Sequence, residues 1–197
     1  MKTVETYSPD EKKMMLALAR STIENVLKRQ APPIPDPLPA KLRETRSCFV
    51  TLHTKDGALR GCIGNIEAFE ALYGNIIHNA GNSAFQDPRF QRVKSLDELA
   101  DITIEISVLT PPEKIKSTAD FIIGKHGIIL SKAGHNSVFL PQVAPEQGWD
   151  NETTLVHLSL KAGLDPYAWK EADAEFKVFE AIVFSEKSEH STSTVDV

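Results

Sequence analysis

The chain is poor in cysteine, with only Cys48 and Cys62 among its 197 residues. They form neither a disulfide framework nor a CxxC pair for zinc or redox work, so a reducing cytoplasm is the expected compartment. Basic charge is also scarce: 22 Lys+Arg stand against 27 Asp+Glu, a formal net charge of −5. Broad binding to phosphate backbones needs a concentrated basic face, so this balance argues against a nucleic-acid partner. No apolar run approaches the ~20 residues that a membrane span requires, and the opening MKTVETYSPDEKK lacks the apolar core of a secretory signal. Glycine-rich phosphate loops, GxSxG elbows and dinucleotide fingerprints are missing too. His78, His135, His157 and His190 have no metal-ligand spacing with each other or with the cysteines, so neither metal nor cofactor is expected.

What is present reads as a folded protein. Hydrophobic residues make up 41% and charged residues 25%, an ordinary globular balance. A chain of this length buries roughly 70% of the surface its unfolded form exposes, enough to fold without staples. Ser8-Pro9-Asp10-Glu11 forms a capping box, and Met15, Leu18, Ala19, Thr22, Ile23, Val26 and Leu27 follow at helical spacing to about Arg29. The five prolines of 31–40 make a stiff, extended strap.

Residues 47–54 and 59–64 flank Lys55-Asp56-Gly57-Ala58, and Asp-Gly predicts a hairpin with a two-residue type I′ turn. Val50 then faces Ile63, Thr51 faces Cys62, Leu52 faces Gly61 and His53 faces Arg60. Since alternate residues share a face, Cys48, Val50, Leu52, Leu59 and Ile63 form an apolar side. Phe49, Thr51, His53, Arg60, Cys62 and Gly64 form the other. A three-residue turn would set Arg60 against Leu52 and Cys62 against Val50, mixing polar with core positions, and is disfavoured.

A second helix is predicted over about 71–85, with Leu72, Ile76, Ile77, Ala80 and Ala84 inward, and a capped turn at Ser95-Leu96-Asp97-Glu98. Residues 102–109 alternate as a half-buried strand. Residues 126–131 and 136–141 read as a hairpin, a third helix starts near Asp150 or Asn151 and stops at Gly163, and 175–184 read as one last strand. The polar tail, 186–197, is expected to be disordered. Hairpin-joined strands interspersed with helices predict an α+β fold with mainly antiparallel sheet.

Leu59-Arg60-Gly61-Cys62-Ile63-Gly64 resembles the signature hexapeptide of the AMMECR family, whose prokaryotic members are also called AmmeMemoRadiSam system protein A. Cys48-Phe49-Val50-Thr51, Ala84-Phe85-Gln86-Asp87-Pro88-Arg89-Phe90, Ile104 to Leu109, His126-Gly127-Ile128, Phe139 to Val143 and Gly148-Trp149 are similar to further family blocks in the same order. The resemblance spans about 47–184. It implies a single AMMECR-type domain over 1–185, of two intimate lobes with helices flanking the sheet, the larger lobe holding both chain ends and the hexapeptide beside a cleft. It also implies Memo-type and radical-SAM proteins as partners.

Several residues are candidates for chemistry. Cys62 is the candidate nucleophile, although an ordinary thiol is only about 3% thiolate at pH 7. Arg60, roughly 7 Å along the strand, would favour the thiolate, bind a carboxylate or phosphate of a small-molecule ligand through its fork, or pair with Asp87 or Glu105. Gly61 and Gly64 would admit a ligand close to the backbone, or simply permit tight packing around the thiol. Asp87 and Arg89 are candidate ligand contacts or a clamp at the end of the second helix. His126 is the candidate acid–base partner of Cys62 or a turn residue, with His53 as a second choice. Glu105 is a candidate base and Trp149 an aromatic anchor or a groove lining. Three functions remain open: an enzyme component acting on a small molecule or modified side chain, a docking module for the implied partners, and a nucleic-acid-linked regulatory factor, which the acidic balance opposes.

Overall fold

The computed structural model describes residues 6–32, 34 and 36–186. They divide into two compact units, one built from 6–109 with 182–186 and the other from Thr110–Ala181. The mixture of helices with two four-stranded, mainly antiparallel sheets is the α+β class.

In the first unit, the Ser8 hydroxyl accepts from Glu11 N–H at 3.2 Å and the Glu11 carboxylate accepts from Ser8 N–H at 2.8 Å, starting α1 (Pro9–Leu27). Its stripe of Met15, Leu18, Ala19, Thr22 and Ile23 is buried, whereas Val26, expected inward, is exposed. Four strands, β1 (Cys48–His53), β2 (Leu59–Gly64), β3 (Thr103–Leu109) and β8 (Ala181–Ser185), lie in the order β2-β1-β3-β8. Helix α1 and helix α2 (Leu72–Phe85) pack on one face of this sheet. There Val50, Leu52, Ile104 and Ile106 meet Met15, Ile23, Leu72 and Ile76 in one core. Ser95 caps a short helix, α3 (Leu96–Ala100).

The second unit holds β4 (Glu113–Lys114), β5 (Gly127–Lys132), β6 (His135–Phe139) and β7 (Glu175–Phe179) in the order β4-β7-β5-β6. A five-residue helix, α4 (Val143–Gln147), precedes α5 (Asn151–Lys161), which is capped by Asp150. Leu155 and Leu158 of α5 pack on Ile128, Leu130, Phe176 and Val178. The β5–β6 turn places Ala133 and Gly134 both at positive φ (48° and 84°), the backbone of a type I′ turn.

Three expectations need correction. The run 175–184 is not one strand: it breaks at Glu180, whose N–H donates to Thr110 Oγ1 at 2.8 Å and whose carbonyl accepts from Thr110 N–H at 2.9 Å, and the two halves join different sheets. Glu186, where the expected tail starts, is held, because the Arg20 guanidinium grips it with bonds of 2.6 and 2.7 Å; the remainder of the expected tail, 187–197, lies outside the described residues.

The third correction concerns the first hairpin. Its loop is three residues long: Gly57 N–H donates to Thr54 carbonyl at 2.9 Å and Thr54 N–H donates to Ala58 carbonyl at 2.8 Å. Gly57 alone takes positive φ (+90°), which suits a type I turn closed by a left-handed glycine. That loop would misplace every side chain beyond it, but a bulge at Arg60 absorbs the slip. His53 pairs with Leu59 rather than Arg60, and Leu52↔Gly61, Thr51↔Cys62 and Val50↔Ile63 then fall as the apolar pattern demands.

Candidate functional site

Helix α2 reads the hairpin through polar side chains spaced four apart. Asn75, Asn79 and Ser83 are buried, and Asp87 continues the spacing just past the helix end. Asn75 Oδ1 accepts from Cys48 N–H at 2.9 Å and Asn79 Nδ2 donates to Cys48 carbonyl at 3.1 Å. The Ser83 hydroxyl accepts from Ile63 N–H at 2.9 Å and donates to Val50 carbonyl at 2.6 Å, tying the two strands together. Asp87 Oδ2 accepts from Cys62 N–H at 2.9 Å. Asn65, directly after β2, joins the group through Asn75 at 2.7 Å and Asn79 at 3.0 Å. Sequence reasoning overlooked this stripe, because polar residues on a helix usually mark its solvent side; their shared four-residue spacing was the available signal.

The hexapeptide's glycines have steric causes in this packing. A Cβ on Gly61 would stand 2.3 Å from the Ser83 carbonyl oxygen, so only glycine lets α2 approach. On Gly64 it would stand 2.2 Å from the Phe49 ring, which lies across the paired position.

Cys62 is half-buried, and its backbone is held by a clamp. Arg89 donates to Asp87 through Nε at 3.0 Å and Nη2 at 2.8 Å, and Nη2 also donates to the Cys62 carbonyl at 3.0 Å. Asp87 is 1% exposed in its side chain, and the Arg89 guanidinium, with N–H groups of Cys62 and Arg89, holds its carboxyl well below the usual carboxylate range. The Cys62 sulfur accepts from the Thr51 hydroxyl at 3.3 Å. Burial pushes the thiol's pKa up; Thr51 and Arg89 oppose that, and Asp87 and Glu105 reinforce it. The resting group is therefore a neutral thiol.

Arg60 does not join this group. The bulge carries it to α3, where Nε and Nη2 donate to Glu98 Oε1 at 3.1 and 2.6 Å. The expected pairing with Asp87 or Glu105 is replaced by Glu98, and the cation acting on the thiol is Arg89. The strand register instead sets Thr51 between Cys62 on β2 and Glu105 on β3. His53 Nε2 lies 4.0 Å from Glu105 Oε1, and its Nδ1 is buried with no hydrogen-bond partner among the described residues. His126 belongs to the second unit, where its Nδ1 accepts from Ile122 N–H at 3.2 Å and closes a turn. Trp149 stacks on His157 with ring centroids 4.1 Å apart. Among the described residues no group of three or more His, Cys, Asp or Glu is placed to hold a metal ion, and no helix is long and apolar enough to cross a membrane.

The AMMECR1 family model matches residues 16–184. The chain belongs to the AMMECR1 family. The stretch that matches contains β1, β2, α2, the Asp87–Arg89 clamp and β3, and with them the whole Cys62 environment. Among its relatives, protein MK0488 of Methanopyrus kandleri is 38% identical over 93% of this chain and 92% of its own. Protein MJ0810 of Methanocaldococcus jannaschii is 41% identical over 85% of this chain and 86% of its own. The crystal structure of the uncharacterized protein PH0010 from Pyrococcus horikoshii has 38% identity and a TM-score of 0.81, covering 88% of this chain and 90% of that one.

Proposed function

We propose that this AMMECR1-family chain is a binding component of an enzyme system, holding a small molecule or modified side chain on the sheet face opposite α1 and α2. The observation that carries this reading is the row Cys62–Thr51–Glu105, in which a thiol, a hydroxyl and a carboxylate fall side by side across three strands. Directly opposed residues have Cβ atoms about 4.5–5.5 Å apart, a span that one small polar group can bridge. The raised pKa of Cys62 makes it a recognition group in the resting protein rather than a standing thiolate nucleophile. Titration of labelled protein with a set of small polar fragments, followed by amide NMR shifts, tests the reading. Shifts clustering at Thr51, Cys62 and Glu105 support it, and shifts confined to other surfaces overturn it.

A second reading, docking of Memo-type or radical-SAM proteins, is favoured by Phe69. This ring is 71% exposed in the loop that follows the hexapeptide strand, and aromatic side chains are frequent anchors of protein interfaces. Capture of such a partner by the wild type and its loss in Phe69→Ser would favour docking; equal capture by both would count against it.

A further inference from the structure

The row on β1–β3 is rich in acceptors and short of cations. The Glu105 side chain is 29% exposed, and no N–H or O–H among the described residues donates to its carboxylate; the His53 ring approaches it only to 4.0 Å, through Nε2. The two guanidinium groups of this region are engaged elsewhere, Arg89 with Asp87 and Arg60 with Glu98. A phosphate or carboxylate brought to the row would meet Glu105 without a free counter-charge, and like charges at such range repel. Three acceptors remain side by side: the carboxylate, the Thr51 oxygen, whose proton goes to sulfur, and the Cys62 sulfur.

We infer that the ligand held at this row carries a primary ammonium group, its three N–H donors shared among Glu105, Thr51 and Cys62. An ammonium offers three donors and no acceptor, the complement of that set, and it supplies the charge that Glu105 lacks. The inference rests on the row being the ligand site and names the chemistry it selects. It reverses the anion-binding role expected for the hexapeptide, because the arginine that would have bound an anion is held by Glu98.

The test is an amide NMR titration at pH 7 with butylamine, Nα-acetyl-lysine methylamide, butyrate and propyl phosphate. Both ammonium probes are expected to move the Thr51, Cys62 and Glu105 signals while the anions leave them in place. Binding of the lysine derivative alone assigns the ammonium to a protein side chain, and comparable binding of butylamine assigns it to a free amine; either supports the inference. Glu105→Gln should weaken the binding about tenfold, the loss of one charge-assisted hydrogen bond. Thr51→Val should weaken it by a smaller factor and serves as the second variant if the first folds poorly. Anions binding at the row in place of amines would overturn the inference and leave the site standing. Amine binding unchanged in both variants would overturn it as well. Silence at the row toward all four probes would remove the site and the inference together.

Discussion

On the helix side of the first sheet, Asn75, Asn79, Ser83 and Asp87 all bond to hairpin backbone. On the opposite side, Glu105 receives no hydrogen bond among the described residues and His53 Nδ1 is buried without a partner. The two faces share strands and differ in how far their polar groups are satisfied. A buried polar group with every partner in place fixes geometry. One left open costs stability, which is the signature of a surface kept for something else. On the function proposed above, the difference would separate the residues that build the hexapeptide's shape from those that meet the ligand.

Substitutions on the two faces put that contrast to the test. The largest effect is expected from Gly61→Ala, whose Cβ would meet the Ser83 carbonyl at 2.3 Å. Backbone cannot swing aside as a side chain can, and a loss of about 3 kcal/mol is expected in urea unfolding. A loss below about 1 kcal/mol would show that α2 sits less tightly than described. Asp87→Asn comes next, at about 2 kcal/mol, since it weakens the bonds to Arg89 and to Cys62 N–H. Its pH dependence has a definite sign. A carboxyl held below its ordinary pKa contributes fully above that value and loses its contribution as pH falls. The gap between wild type and Asp87→Asn should thus be full at neutral pH and shrink below about pH 4. A gap that widens in acid would refute the clamp. The smallest effect belongs to the open face, where Glu105→Gln should stay within about 0.5 kcal/mol of wild type. A substantial destabilisation there would mean that Glu105 is structural after all.

Local chemistry made much of this legible beforehand. The α1 capping box, the Asp150 cap and the alternation of 102–109 depend on neighbours in sequence; both caps stand, and the alternation holds through Ile106, beyond which Ser107, Val108 and Leu109 are all buried. The core register of β1 and β2 was legible because a one-residue slip would expose every apolar side chain. The turn itself is less legible, since Asp-Gly also serves a three-residue loop when a bulge restores the register. Longer-range choices left weaker traces. Nothing near Arg60 points to Glu98, thirty-eight residues on. The break at Glu180 interrupts a run that is rich in apolar residues on both sides, and its two bonds to Thr110 reach seventy residues back along the chain. Cys62 was identified as a centre of interest, but the rise in its pKa depends on burial and on Glu105 from another strand.

The Asp87–Arg89 clamp also covers an edge of the sheet. Strand β2 ends the sheet order, and an unpaired outer strand is a template onto which another chain can polymerise. At Cys62 both backbone groups are taken by side chains of the same molecule. The outer edge of this glycine-rich strand is thereby blocked at Cys62, by two charged residues that an added strand could displace there only by stranding the Asp87 carboxylate in the dry.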